Sequence, residues 1–234
     1  MENTEANSVA DNIKRIRSEI ADLSIKSGRS PDDITLVAVS KTKPVSLIRQ
    51  AIAAGVDAVG ENRVQEMREK YVQNAYSGAQ LHFIGHLQSN KVSKVVGTCD
   101  LIESVSSKTL VELIGKRAVS LGIVQDTLIE VNIGEEPQKS GILPAQVEEI
   151  MEQASRTEGI RVLGFMAIPP FSENFERNCY YFDIMFKLFV DMSAKKYDNV
   201  SVRLLSMGMS DSYADAIRAG SNMVRIGSAI FGER

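Results

Sequence analysis

The sequence predicts a single (β/α)8 TIM barrel with one extra helix at its N-terminal end. Short β-branched and apolar runs alternate with amphipathic segments eight times along the 234 residues, which is the pattern of a parallel barrel. An open doubly wound sheet is the alternative, but it would normally carry a glycine-rich phosphate loop after its first strand, and none is present. No low-complexity linker interrupts the chain, so we expect one domain over residues 1–234.

The extra helix is predicted over residues 12–26. Its apolar side chains recur at the spacing of one helical face, at Ile13, Ile16, Ile20 and Leu23. Gly28 and the Ser30-Pro31 pair end it. We expect the polar and acidic residues before it, about 1–11, to be disordered.

Eight strand–helix units follow in order. Each strand is a short run rich in Val, Ile and Leu, and the helices end at signals such as Gly55. The predicted strands are 34–41, 57–61, 81–86, 101–105, 127–132, 162–167, 202–206 and 223–227. The predicted helices are 44–54, a segment through 70, a segment from about 90, 108–121, 144–156, 175 to about 195, 212–219 and a short terminal segment.

The composition excludes several classes of partner. With 27 basic and 30 acidic residues the net charge is -3, which gives no electrostatic case for nucleic acid. No apolar run approaches the ~20 residues of a membrane helix, and the N-terminal residues have no apolar signal segment. The two cysteines, Cys99 and Cys179, are typical of reduced thiols. We therefore expect a cytoplasmic protein that binds neither membranes nor nucleic acid, and separately we expect it to be a monomer.

A metal site is not expected either. His82 and His86 are the only histidines, and four residues along an extended strand separate them by ~13 Å. There is no cysteine cluster to complete a ligand set.

Active groups of a barrel lie at the carboxyl ends of its strands, so polar residues there are the candidates. Lys41 ends the first predicted strand, and a desolvated amine beside another cation is a good nucleophile. A lone lysine at this place is more often an ordinary surface residue, and Lys43 and Lys139 are rival nucleophiles near the same rim.

The ends of strands seven and eight suggest a phosphate site. Barrels often bind phosphate in these loops, at the start of a short helix. The amides of Gly227 and Ser228 would face the phosphate, and the Ser206 and Ser228 hydroxyls would add donors. Arg225 lies two residues before Gly227 and so points into the barrel. It either serves the site or forms a structural ion pair, for which the candidates are Glu61, Glu103 and Glu130. A lysine beside a phosphate site suits an aldehyde phosphate.

Several motifs resemble one family. They are Val39-Ser-Lys-Thr-Lys-Pro44, Gly60-Glu-Asn62, His82-Phe-Ile-Gly-His-Leu-Gln-Ser-Asn-Lys91, Gly164-Phe-Met166, Leu205-Ser-Met-Gly-Met-Ser210 and Val224-Arg-Ile-Gly-Ser-Ala-Ile-Phe-Gly232. Together they resemble the pyridoxal 5′-phosphate (PLP) homeostasis proteins, the YggS/PROSC family, from about Asn12 to Gly232. That family is similar to the N-terminal barrel of alanine racemase.

The resemblance implies a role for each matching residue. Lys41 matches the lysine that holds PLP as a Schiff base, and Arg225 matches the arginine at the pyridine nitrogen. The phosphate cradle is matched by Ser206, Gly227 and Ser228. Asn62 and Met166 match residues beside the cofactor ring.

One position departs from the family pattern. The family usually has an acidic residue where this chain has Ser212, after Met209-Ser-Asp211. Because serine itself can cap a helix, we expect no loss of PLP binding.

The resemblance implies a non-catalytic carrier that buffers PLP and passes it to apoenzymes. Alanine racemase uses a tyrosine of a C-terminal domain as its second base, and we expect that domain to be absent here. Tyr213 lies near the mouth in sequence, but nothing in the sequence places it over the ring. The alternatives are a weak PLP-dependent amino-acid racemase or related enzyme, and a binder of sugar phosphates or nucleotides that forms no Schiff base.

Overall fold

The computed structural model describes residues 8–170 and 175–233, which form a closed barrel of eight parallel strands. Each strand pairs with its neighbours in chain order, and β1 also pairs with β8 to close the barrel. The strands are β1 (Thr35–Val39), β2 (Ala58–Glu61), β3 (Gln80–Phe83), β4 (Leu101–Val105), β5 (Gln125–Val131), β6 (Ile160–Ala167), β7 (Val200–Ser206) and β8 (Met223–Ile226). The predicted fold is confirmed.

Helices cover the outside of the barrel. They are α1 (Val9–Lys26), α2 (Val45–Ala53), α3 (Val64–Tyr71), α4 (Val92–Val95), α5 (Lys108–Ser120), α6 (Val147–Ser155), α7 (Phe175–Ser193), α8 (Tyr213–Arg218) and α9 (Ser228–Phe231). Single 3-10 turns precede β1, α4 and α6. Within the described ranges, no helix has the length and apolar character needed to cross a membrane.

The helix α1 begins earlier than predicted. The Ser8 hydroxyl accepts a hydrogen bond from the Asp11 amide and so caps the helix, which starts at Val9. Disorder up to residue 11 is therefore wrong for residues 8–11, and residues 1–7 lie outside the described part of the chain. The apolar face of α1 packs onto the outer surface of β1 and β8, together with α8 and α9.

The strands alternate between two apolar layers. One set of side chains packs outward beneath the helices, while a smaller set fills the barrel interior. The interior set contains Val37, Ala58, Leu101, Leu128, Leu163, Met166 and Met223. The residues two positions further along β5 and β8, Glu130 and Arg225, therefore also point inward, closer to the carboxyl ends of the strands.

Two strands, β1 and β3, end more than one residue earlier than predicted. β1 ends at Val39 because the chain turns at Ser40, whose carbonyl accepts a hydrogen bond from the Lys43 amide. Lys41 therefore lies in the turn after the strand. β3 ends at Phe83, so His86 lies in the following loop.

Candidate functional site

Two adjoining cavities open at the carboxyl ends of the strands. The volumes are about 290 Å³ and 430 Å³, and both cavities are lined by Val39, Lys41, Met209 and Arg225. Together they have the size of a site for a small molecule. The smaller one extends to the loops after β7 and β8, and the larger one extends over β2, β3 and β5.

The three candidate lysines differ in what holds their amines. Lys43 Nζ donates to the Phe231, Gly232 and Glu233 carbonyl oxygens at 3.2–3.3 Å. Lys139 Nζ donates to the Pro169 carbonyl oxygen at 3.1 Å and pairs with Glu136. Among the described residues, Lys41 has neither a hydrogen bond nor an ion pair on its amine, and it lines both cavities. Lys41 is therefore the amine that is available to a ligand.

The turn that carries Lys41 is held in a strained conformation. Thr42 has a φ of 65°, which a β-branched residue rarely adopts. Its amide donates to Glu66 Oε1 at 2.5 Å. Lys70 Nζ binds the same oxygen at 2.7 Å and the Ser40 carbonyl oxygen at 2.8 Å. Strain of this kind persists only where several contacts fix the backbone.

A buried carboxylate completes the support of this turn. Glu61 Oε1 lies 2.7 Å from Lys70 Nζ and accepts a hydrogen bond from the Ser40 hydroxyl at 2.5 Å. Burial raises the pKa of Glu61, and the contacts with Lys70 and Ser40 oppose that rise. Glu61 is therefore the structural partner of Lys70 and not of Arg225.

Arg225 is fixed by a chain of buried side chains. Its guanidinium donates to Ser206 Oγ at 2.5 Å and to the Ala167 carbonyl oxygen at 3.0 Å. The Ser206 hydroxyl in turn donates to Glu103 Oε2 at 2.6 Å, and Glu103 Oε1 lies 2.7 Å from His82 Nδ1. Arg225 and Glu103 themselves approach to 3.8 Å. This series of side chains connects β8, β7, β4 and β3 across the barrel interior.

The charged side chains in this hydrogen-bonded series, Glu103 and Arg225, stabilise each other. Burial alone would raise the pKa of Glu103, but the contacts with His82, Arg225 and Ser206 together hold it below its usual value. Burial lowers the pKa of Arg225, while the charges of Glu103 and Glu130 oppose that shift. Among the three acidic candidates from the sequence, Glu103 is the structural partner of Arg225.

The position of Ser206 differs from the expectation. Its hydroxyl already has a donor and an acceptor inside the barrel, and Ser206 lines neither cavity. The rim position expected for it is filled by Ser210, whose hydroxyl accepts from the Gly227 and Ala229 amides at 3.3 Å. In the sequence, Ser210 appeared only as the last residue of the motif Leu205–Ser210, in the loop after β7.

The other predicted site residues divide between the rim and the interior. Gly227 and Ser228 line the smaller cavity, and Asn62 lines the larger one. Asn62 Oδ1 is buried without a hydrogen-bond partner among the described residues, so it is free to meet a ligand. Met166 is 1% exposed and lies in the apolar interior below the cavities, which it does not line.

Glu130 is a buried carboxyl group of the larger cavity that the sequence offered only as an ion-pair candidate. Its Oε2 atom has no hydrogen-bond partner in the described part of the chain. Burial raises the pKa of Glu130 to about 7, although the charge of Arg225 acts in the opposite direction. The alternation of Leu128 and Glu130 along β5, continued by Asn132 just after it, was the signal that could have placed Glu130 at the mouth.

Tyr213 and the two histidines, which the sequence also offered as candidates, lie in three different environments. The Tyr213 hydroxyl donates to Glu19 of α1, on the outer side of the barrel. His86 lines the larger cavity and is hydrogen-bonded to Ser140 at 3.0 Å, whereas His82 belongs to the Arg225 chain. In residues 8–170 and 175–233, no group of three or more His, Cys, Asp or Glu side chains could hold a metal ion.

The rim fits a phosphorylated aldehyde. Gly227 lines the smaller cavity and its amide donates to the Ser210 hydroxyl, while a Cβ at Gly227 would lie 3.4 Å from the Val39 side chain, which lines the same cavity. Lys41 lines that cavity and its amine has no partner among the described residues, and buried oxygens of Asn62 and Glu130, which line the adjoining cavity, likewise have none within residues 8–170 and 175–233.

Comparisons with known proteins agree with the sequence resemblance. The family model of the alanine racemase N-terminal domain matches residues 7–234. The pyridoxal phosphate homeostasis protein of Aquifex aeolicus is 40% identical over 224 residues, covering 96% of this chain and 97% of that protein. The one from Escherichia coli K12 is 37% identical over 231 residues, covering 97% of each.

Solved structures show the same barrel. PipY of Synechococcus elongatus with PLP bound has a TM-score of 0.84 and 29% identity, covering 96% of this chain and 100% of PipY. Alanine racemase of Clostridium difficile has a TM-score of 0.70 and 18% identity, covering 96% of this chain and 57% of that one. The second likeness shows the fold alone.

Proposed function

The chain belongs to the family of the alanine racemase N-terminal domain, and we propose that it binds PLP through Lys41 as a PLP homeostasis protein. Its relatives named for PLP homeostasis match it over nearly their full length, and a structural neighbour holds PLP. The observation that carries the proposal is the Lys41 amine, which has no partner among the described residues, in a residue that lines a cavity together with Ser210, Gly227 and Ser228.

Each residue of the rim has a role in this proposal. Lys41 forms the Schiff base with the aldehyde of PLP. Ser210, Gly227 and Ser228 hold the phosphate with hydroxyl and amide donors. Asn62 contacts the ring from the side of β2. Ser206 and Met166 act from the layer below, Ser206 by holding Arg225 and Met166 by filling the barrel interior.

In this proposal Arg225 would face the pyridine nitrogen of PLP. An arginine keeps its proton at neutral pH. The contacts with Glu103 and Ser206 also fix the position of the Arg225 guanidinium. When bound, PLP supplies an electron-withdrawing ring, and an unprotonated pyridine nitrogen makes this withdrawal weak. The arrangement therefore favours holding PLP over transforming an amino acid.

We further propose that the protein is a carrier and not an enzyme. Two-base racemisation needs a second base opposite the lysine. The described residues that line the two cavities include no tyrosine, and Tyr213 is bound to Glu19 outside the barrel. Steady turnover of either alanine enantiomer by the pure protein would instead support the racemase alternative.

A reversible Schiff base suits storage of a reactive aldehyde. The free thiols Cys99 and Cys179 are consistent with the reducing cytoplasm that we propose as its location. PLP-dependent apoenzymes are the proposed receivers. Recovery of activity by an apoenzyme mixed with the loaded protein would test this step, and no recovery above the rate given by free PLP would exclude direct transfer.

The experiment that tests the anchor is an absorbance spectrum before and after borohydride, with peptide mapping of the reduced adduct. We expect a coloured protein whose pyridoxyl label maps to Lys41. The variants Lys43→Ala and Lys139→Ala should keep the Schiff-base absorbance, and Lys41→Ala should lose it. Retention of the absorbance in Lys41→Ala would move the role to Lys43 or Lys139. A wild-type protein that takes up no PLP would overturn the proposal and favour another phosphorylated ligand.

A further inference from the structure

Glu130 is a buried acidic residue whose carboxyl group is not explained by the packing of the barrel. It lies near the carboxyl end of β5 and is 7% exposed, and its Oε2 has no partner among the described residues. A buried carboxyl group without a hydrogen-bond partner costs stability, so its presence calls for an explanation.

The cations around Glu130 already have other partners. Arg225 is held by Ser206, the Ala167 carbonyl oxygen and Glu103, while Lys139 is held by Glu136 and the Pro169 carbonyl oxygen. None of the described contacts of these cations is a hydrogen bond to Glu130. Glu130 and Arg225 act on each other through their charges without forming an ion pair among the described contacts, so a structural ion pair does not account for the unpaired Glu130 oxygen.

Lys41 is the cation of this cavity that lacks another partner. It lines the same 430 Å³ cavity as Glu130, and its amine has no partner among the described residues. Besides Arg225 and Lys139, the other polar residues that line this cavity are His86, Asn62, Gln138 and Ser140. His86 is hydrogen-bonded to Ser140. One unpaired carboxyl group and one unpaired amine thus share the cavity in which the aldehyde is proposed to react.

We propose that Glu130 carries the proton that must move when Lys41 bonds to the aldehyde of PLP. The inference rests on the proposed function. The ionised Glu130 takes one proton from the Lys41 ammonium, whose nitrogen then bonds to the aldehyde carbon. Glu130 returns the proton to the aldehyde oxygen, which leaves as water together with the second proton given up by the nitrogen. The products are a protonated Schiff base, one water molecule and an ionised Glu130, so atoms and charge balance.

The direction of the pH effect follows from the buried position. Burial raises the pKa of Glu130 to about 7, with Arg225 opposing the rise. Only the ionised form accepts a proton, so loading should slow as the pH falls through this range. Release runs through the same steps in reverse and should depend on Glu130 equally. A proton carrier changes both rates and leaves their ratio, the dissociation constant, unchanged.

The test measures loading and release of PLP by stopped-flow absorbance in wild type and Glu130→Gln at several pH values. We expect both rates to fall by ~100-fold or more in Glu130→Gln, as for loss of a general acid–base group. The dissociation constant should stay the same, and the inflection near neutral pH should disappear. Glu130→Asp retains a carboxyl group and should recover part of the rate.

Two controls separate this role from others. His86→Gln removes the rival proton carrier and should keep the inflection. Pyridoxine 5′-phosphate has no aldehyde and should bind Glu130→Gln as it binds the wild type. Equal rates and pH profiles in wild type and Glu130→Gln would overturn the inference while leaving PLP binding intact. Failure of the wild type to load PLP would instead overturn the proposed function.

Discussion

Replacing Lys70 by alanine should destabilise the barrel beneath the turn that carries Lys41. The Lys70 ammonium is buried, 2.7 Å from Glu61 Oε1, 2.7 Å from Glu66 Oε1 and 2.8 Å from the Ser40 carbonyl oxygen. Removing one partner of a buried ion pair costs about 3–5 kcal/mol, because the other charge stays buried without compensation. In a chain of this size each kcal/mol lowers Tm by about 2–4 °C, so Tm should fall by roughly 6–20 °C.

The loss should depend on pH. Burial raises the pKa of Glu61 even in the wild type, and Lys70 opposes that rise. Without Lys70 the pKa of Glu61 should rise further, so the folded variant binds a proton that the unfolded chain releases. Its stability therefore increases as pH falls, and the difference from the wild type should shrink between about pH 8 and about pH 5.

Thermal and urea unfolding followed by circular dichroism at both pH values measure the effect. Lys14→Ala is the matched control, since Lys14 is exposed and has no ion pair among the described residues. We expect no change in the control. A loss of less than ~1 kcal/mol in Lys70→Ala, as for a surface pair, would refute the reasoning. So would a loss that is the same at both pH values.

Three further substitutions test the rim. Ser210→Ala should reduce PLP affinity in a titration but cost at most about 1.5 kcal/mol of stability, because its hydrogen bonds to backbone amides are 3.3 Å long; unchanged affinity would remove it from the phosphate site. Gly227→Ala should keep its Tm, since a Cβ there lies 3.4 Å from Val39, yet weaken PLP binding by ~1–3 kcal/mol; full affinity would show that no ligand approaches this backbone. Gly85→Ala should lower the free energy of unfolding by ~1–3 kcal/mol or more, because its Cβ would lie 2.1 Å from the Asn62 carbonyl oxygen; an unchanged urea midpoint would contradict this contact.

The barrel could be predicted because its signals are local and repeated. Every strand carries its own β-branched run and every long helix its own apolar face, so an error at one element leaves the others in place. The errors lie at the ends. Ser40 turns the chain two residues before the predicted end of β1, and Ser8 starts α1 before the predicted helix. Both depend on single hydrogen bonds that periodicity does not reveal.

The depth of a side chain within the barrel was harder to predict. Alternation shows that Ser206 and Arg225 point inward, but it does not show which layer each one reaches. Ser206 lies one layer too deep to line the cavities, and Ser210 takes the rim position. The choice of Glu103 over Glu61 and Glu130 as the partner of Arg225 likewise depends on strand register across the barrel.

The pairing of β1 with β8 determines when, during synthesis, the protein becomes able to bind PLP. Val37 of β1 is the strand partner of Arg225 of β8, so the site joins a segment made early in synthesis to one made near its end. A ribosome-bound chain that lacks β8 has the amine but neither the guanidinium nor the Gly227 and Ala229 amides. Nascent chains should therefore remain without cofactor until the final strand emerges, and prematurely terminated products should not withdraw PLP from the cell.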